Sequence, residues 1–114
     1  MIREKTYDVT LVDGSAVIDT HFINGYIENF CIGRDRDVRA EIIYQGPIEI
    51  VLFSAWIQED TYLPLRVYAR DCDNKKLAFS FDKFAANGKF RIYLNGSVNQ
   101  QVRVSVSYST EMED

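Results

Sequence analysis

The sequence predicts an all-β fold: an antiparallel β-sandwich, jelly-roll-like, of about nine strands in a single domain over residues 1–114. Three observations carry this. Apolar and polar residues alternate with period two in segment after segment from Tyr7 to Tyr108. Turn-forming residues break the chain at intervals of roughly 8–12 residues. No segment reads as a long helix.

Thr6 to Val12 alternates, with Tyr7, Val9 and Leu11 on one face. Asp13-Gly14-Ser15 turns the chain into a second strand over Ala16 to Ile23, with Ile18 and Phe22 on one face. Asn24-Gly25 is a strong hairpin signal, because a type I′ turn needs positive φ at both central positions. A third strand then returns over Tyr26 to Ile32, making a three-stranded meander of Tyr7–Ile32. A charged loop, Gly33-Arg34-Asp35-Arg36, leads to a strand from Asp37 to Tyr44 with Val38, Ala40, Ile42 and Tyr44 inward.

Ile48 to Ile57 follows Gly46-Pro47 and holds the one tryptophan, Trp56. Its β-branched and aromatic content suits a strand. It is apolar on both faces from Ile50 on, which predicts a central strand covered on both sides, with Trp56 buried. Gln58 to Pro64 reads as a loop carrying Tyr62 and Leu63, and Leu65 to Arg70 alternates again. After the polar turn Asp71–Lys76 comes a short strand, Leu77–Phe81. Asp82 to Gly88 reads as one helical turn, with Asp82 as N-cap and Gly88 as the stop. Lys89 to Leu94 places Phe90, Ile92 and Leu94 inward, and Asn95-Gly96 is a second hairpin signal. Val102, Val104, Val106 and Tyr108 form the cleanest alternation, before an acidic tail over 109–114.

The charge of −4 offers no basic face to neutralise phosphates, so nucleic acid is not an expected partner, nor is an anionic membrane. No apolar run approaches the ~20 residues of a membrane helix. Met1-Ile2-Arg3-Glu4-Lys5 lacks the apolar core of a secretory signal, so synthesis in a cytoplasm is expected. Cys31, on a strand, and Cys72, in a turn, read as a small buried hydrophobe and an exposed thiol, not as a disulfide.

No catalytic, metal or cofactor site is predicted, and the protein reads as a non-enzyme. The single histidine, His21, follows Asp19 on a strand and reads as a surface residue. No serine or cysteine sits in a nucleophile motif. Asp71-Cys72-Asp73-Asn74 starts like a calcium loop, but Lys75-Lys76 supplies neither the glycine nor the oxygens that must follow. Asn95-Gly96-Ser97 matches a glycosylation sequon and reads as a turn. Aromatics are the remaining lead. Tyr26, Tyr68 and Tyr93 lie opposite predicted core residues, and Tyr62, Leu63 and Phe84 fall in predicted loops. Such side chains can anchor a protein interface or stack on sugars.

Tyr7-Asp8-Val9-Thr10-Leu11, Gly14-Ser15-Ala16 and Asn24-Gly25-Tyr26-Ile27-Glu28 resemble the N-terminal meander of small β-sandwich accessory proteins of tailed-bacteriophage virions. Gly88-Lys89-Phe90-Arg91-Ile92 through Val102-Arg103-Val104-Ser105-Val106 resembles their final hairpin. The resemblance implies a head decoration or cement protein on the capsid surface. It would bridge major capsid subunits, with lattice or homo-oligomeric contacts and no cofactor. A neck or tail-fibre adaptor is the neighbouring expectation, and a carbohydrate-binding sandwich the alternative. Tyr62, Leu63 and Phe84 are the expected anchors on the partner, with Arg34 and Arg36 as charged docking contacts.

Overall fold

The computed structural model describes residues 2–70, 73 and 76–110, with the backbone alone for 67–70 and 76–82. The described residues form nine strands and no helix. In chain order these are β1 (Ile2–Leu11), β2 (Ser15–Asp19), β3 (Ile23–Arg34), β4 (Val38–Gln45), β5 (Glu49–Ile57), β6 (Thr61–Pro64), β7 (Arg66–Arg70), β8 (Lys76–Asn95) and β9 (Gln100–Ser109). Every pairing is antiparallel. Hydrogen bonding joins the strands into one continuous sheet in the order β1-β9-β3-β8-β4-β5, with β2 and β7 on β8 and β6 on β3.

The two long strands make this continuity possible. β3 pairs with β8 along Ile23–Ile27 and with β9 from Tyr26 to Arg34. β8 pairs first with β7, then with β3 through Phe84–Gly88, and finally lies between β2 and β4 from Arg91 to Asn95. One wing is thus β1-β9-β3-β6 and the other β2-β8-β4-β5, and the wings share one core. Phe30 on β3 meets Phe90 on β8 edge-on, with ring centroids 5.4 Å apart. Around this contact pack Ile32, Val104 and Val106 from the first wing and Ile42, Ile92 and Leu94 from the second. Each fully buried side chain of this size contributes about 1.5–3 kcal/mol through area removed from water.

Gly88 is the point at which β8 changes partner from β3 to β4. A Cβ there would meet the Gln45 carbonyl oxygen at 2.5 Å, so only glycine lets the backbones close. Two buried polar side chains fix the links. Thr20 Oγ1 accepts from the Phe90 N–H at 2.9 Å and donates to the His21 carbonyl at 3.0 Å, holding the β2–β3 link on the core. Gln100 accepts from the Ser97 N–H at 2.9 Å and donates to the Arg36 carbonyl at 2.5 Å, tying two loops together.

Several sequence expectations are corrected. Residues 82–88 are not a helical turn. Phe84, Ala86, Gly88 and Phe90 are buried while Lys83, Ala85, Asn87 and Lys89 are exposed, so the period-two pattern runs straight through. Gly88 is there for close approach, not to stop a helix. Asn24-Gly25 is not a hairpin but lies inside β3, where a Cβ on Gly25 would collide with the Ser109 carbonyl. The Tyr7–Ile32 meander therefore does not exist: β1 pairs with β9 and β2 with β8. Asn95-Gly96 likewise joins β8 to β9 across the two wings, without pairing them. The 58–64 loop contains β6, and Phe22, expected inward, is exposed.

The largest correction concerns Ile48–Ile57. Its strand, β5, is the end of the sheet path and among the described residues pairs with β4 alone. The register shifts between Ile42 and Ile43, which face Phe53 and Val51, so Leu52 is an extra residue on β5. Beyond this bulge the inward and outward sets exchange parity. Ile57 is buried, while Trp56 and Val51 are each 59% exposed.

Candidate protein-docking surface

β5 is a nine-residue edge strand without a lysine, arginine or proline in it. Edges are normally protected by charge, proline or shortness, because unpaired N–H and C=O groups invite another strand. The other edges show these devices. β1 exposes Arg3, Glu4 and Lys5, and its Asp8 pairs with Arg103 at 2.6 Å. β6 is four residues long and ends in Pro64. β5 instead exposes Val51 and Trp56, with Ile48, 68% exposed, just ahead of it.

The surface around β5 is polar and shaped. On the outer face of β4, Arg39 Nη2 donates to Ser54 Oγ at 2.7 Å, and Ser54 Oγ donates to Glu41 Oε2 at 3.2 Å. Trp56 is the cross-strand partner of Arg39. Next to β5, Phe53, Trp56, Gln58, Glu59 and Thr61 line an open depression. Thr61 also lines a second depression with Cys31, Asp60, Tyr62 and Arg103.

The sequence-predicted anchors divide. Tyr62, on β6 opposite Cys31, is 62% exposed. Leu63, its neighbour on the same strand, turns inward and packs against the core. Phe84 is 8% exposed, with its ring 5.0 Å from that of Tyr44 and 6.3 Å from that of Phe90, so it is a core residue and not a loop anchor. Arg34 closes β3, and its backbone N–H donates to Asp60 Oδ1 at 3.1 Å, next to the Tyr62 depression. Arg36 is exposed and pairs with Asp35 at 3.8 Å. Tyr62, Arg34 and Asp60 are thereby brought together, and Phe84 is removed from the set. Trp56 is the surface residue that sequence reasoning missed. The signal available was the absence of any lysine or proline guard in an apolar strand.

His21 is half-buried in the β2–β3 link, and Asp19 pairs with Arg91 at 2.7 Å. The Tyr7 hydroxyl lies 2.9 Å from His21 Nδ1 and the Tyr108 hydroxyl 2.9 Å from Nε2. The His21 backbone N–H also donates to the Tyr7 oxygen at 3.2 Å. The two hydroxyls thus hold both ring nitrogens, and each can donate to or accept from the ring. Burial, then the nearby charge of Lys5, holds the imidazole below its ordinary pKa. Cys31 is half-buried, its thiol pushed up by burial and then by Glu4.

Glu28 receives Lys83 Nζ at 2.8 Å and lies 3.9 Å from Arg66 Nη2, which fixes the start of β7 against β3. The Lys83 hydrogen bond holds the Glu28 carboxyl below its usual range. The side chain of Tyr68, Cys72 and most of the Asp71-Cys72-Asp73-Asn74 turn lie outside the described residues. Among the described residues no group of three or more His, Cys, Asp or Glu side chains could hold a metal ion. No helix there is long and apolar enough to cross a membrane. No protein-family model, curated protein or solved structure significantly matches this chain.

Proposed function

We propose that this chain is a protein-docking module rather than an enzyme, and that its place is on the outer surface of a tailed-phage capsid as a decoration protein. The observation that carries the docking reading is the β5 edge, which apart from its bulge at Leu52 has no lysine, arginine or proline guard and exposes Val51 and Trp56, with Ile48 just ahead of it. An apolar strand edge beside a polar rim is the make-up of an interface with a few buried anchors. The capsid assignment rests on the resemblance of the sequence pattern. Bridging neighbouring shell subunits would make modest contacts strong, since the second contact is intramolecular. Binding the assembled shell alone would stabilise it by mass action. The test is co-sedimentation of the purified protein with undecorated phage particles. Saturable binding that Val51→Lys abolishes supports the reading, and no binding at any concentration overturns the capsid assignment.

A second reading, sugar binding, draws on the exposed Trp56 ring beside the Arg39–Ser54–Glu41 hydrogen-bonded row. An indole face with polar groups at its side is a stacking platform for a pyranose ring. Glycan-array binding that is lost in Trp56→Ala would favour it.

A further inference from the structure

Resting on the docking reading, we propose that the free edge of β5 takes an extended, apolar strand of a partner protein flanked by basic residues, and not a second copy of this chain. The edge sets the backbone requirement. On the side away from β4, β5 offers N–H and C=O groups before and after the Leu52 bulge, and an added strand satisfies them by extending the sheet. Its side chains set the apolar requirement, because Val51 and Trp56 would be covered by alternate residues of the incoming strand.

Charge sets the rest. From Gln45 to Leu65 the only charged residues are Glu49, Glu59 and Asp60. They stand at the two ends of β5, so the edge is apolar in the middle and acidic at both ends. Among the described residues the Asp60 carboxylate accepts a backbone N–H from Arg34 and has no ion pair. A second copy meets this pattern badly. A two-fold antiparallel pairing centred on Phe53 would set Glu49 of one chain opposite Ile57 of the other, with Glu59 two positions further on. That brings like charges together at both ends of the joint, on a chain already at −4. A strand with lysine or arginine at its ends meets the same pattern favourably.

The experiment uses the full chain and a capped synthetic peptide of about eight residues, valine and threonine alternating between terminal lysines. The readout is the emission of Trp56, the one tryptophan, which lies on the strand in question. We expect a saturable blue shift, binding at least tenfold weaker for the same peptide ended in glutamate, and weakening with salt. Val51→Lys should remove the shift, and the double variant Glu49→Lys with Glu59→Lys should reverse the preference between the peptides. Equal binding of both peptides overturns the charge argument. A concentration-dependent dimer by sedimentation, lost in Val51→Lys, makes the occupant a second copy and overturns the proposal. No peptide binding up to millimolar concentration overturns it too. If particles are still bound in that case, the docking reading stands and this inference alone falls. If the peptide binds and particles do not, this inference stands and the capsid assignment alone falls.

Discussion

His21 Nε2 lies 2.9 Å from the hydroxyl oxygen of Tyr108, across 87 positions of sequence. With Tyr7 on Nδ1, the imidazole joins the β2–β3 link to the first and last strands of one wing. Burial of this ring, with the charge of Lys5 nearby, disfavours its charged form.

Stability should therefore fall on mild acidification. The folded-state pKa of His21 is depressed below the ordinary 6.5, so below that value the unfolded chain binds more protons than the folded one. The contribution is fully present above the unfolded pKa and is lost as pH falls through the folded one. Thermal unfolding between pH 7.5 and 5 should show a decline that is smaller in His21→Gln. An equal decline in both would remove His21 as the cause.

Phe84→Ala should cost about 3–5 kcal/mol of fold stability, through lost area and a cavity against Tyr44 and Phe90. Denaturant unfolding measures it. Any folded fraction of this variant should dock as the parent does.

Trp56→Ala and Tyr62→Ala should each change stability by under about 0.5 kcal/mol, since both rings are mostly in solvent. Each should weaken particle binding by about 1–2 kcal/mol. Melting temperature beside co-sedimentation separates the two quantities, and a collapse in melting temperature would contradict the exposed placement.

Gly25→Ala should destabilise by about 1–3 kcal/mol, because the new methyl group meets the Ser109 backbone and must push β3 away from β9. Faster hydrogen exchange confined to the Tyr26–Ser109 end of that ladder is the expected signature.

The strands themselves were legible in the sequence. Val38, Ala40, Ile42 and Tyr44 are all buried, as are Phe90, Ile92 and Leu94 and the series Val102 to Tyr108. Alternation reports which way a side chain points, and it did so correctly. It does not report which strand lies alongside. Asn24-Gly25 carries the same letters whether glycine serves a turn or a close approach, and only the Ser109 carbonyl decides between them. Ile48–Ile57 failed for a related reason. Two apolar faces mean burial only if something covers them, and among the described residues β5 has β4 on one side and no strand on the other. At the candidate surface Tyr62 was correctly placed outside, while Phe84 was misplaced because Gly88 resembled a helix stop. The His21 partners were out of reach, since each hydroxyl arrives from a distant strand.

The register of β1 against β9 sets Ile2 opposite Ser109 and Leu11 opposite Gln100. β1 thus cannot pair until β9, about a hundred positions later, is in place. Until then β1 has no ladder to join, and β3 lacks the neighbour it needs from Tyr26 to Arg34. The wing closes only when Ile2 and Ser109 meet, a long loop closure that places the chain among slow, topology-limited folders on a scale of about milliseconds to seconds.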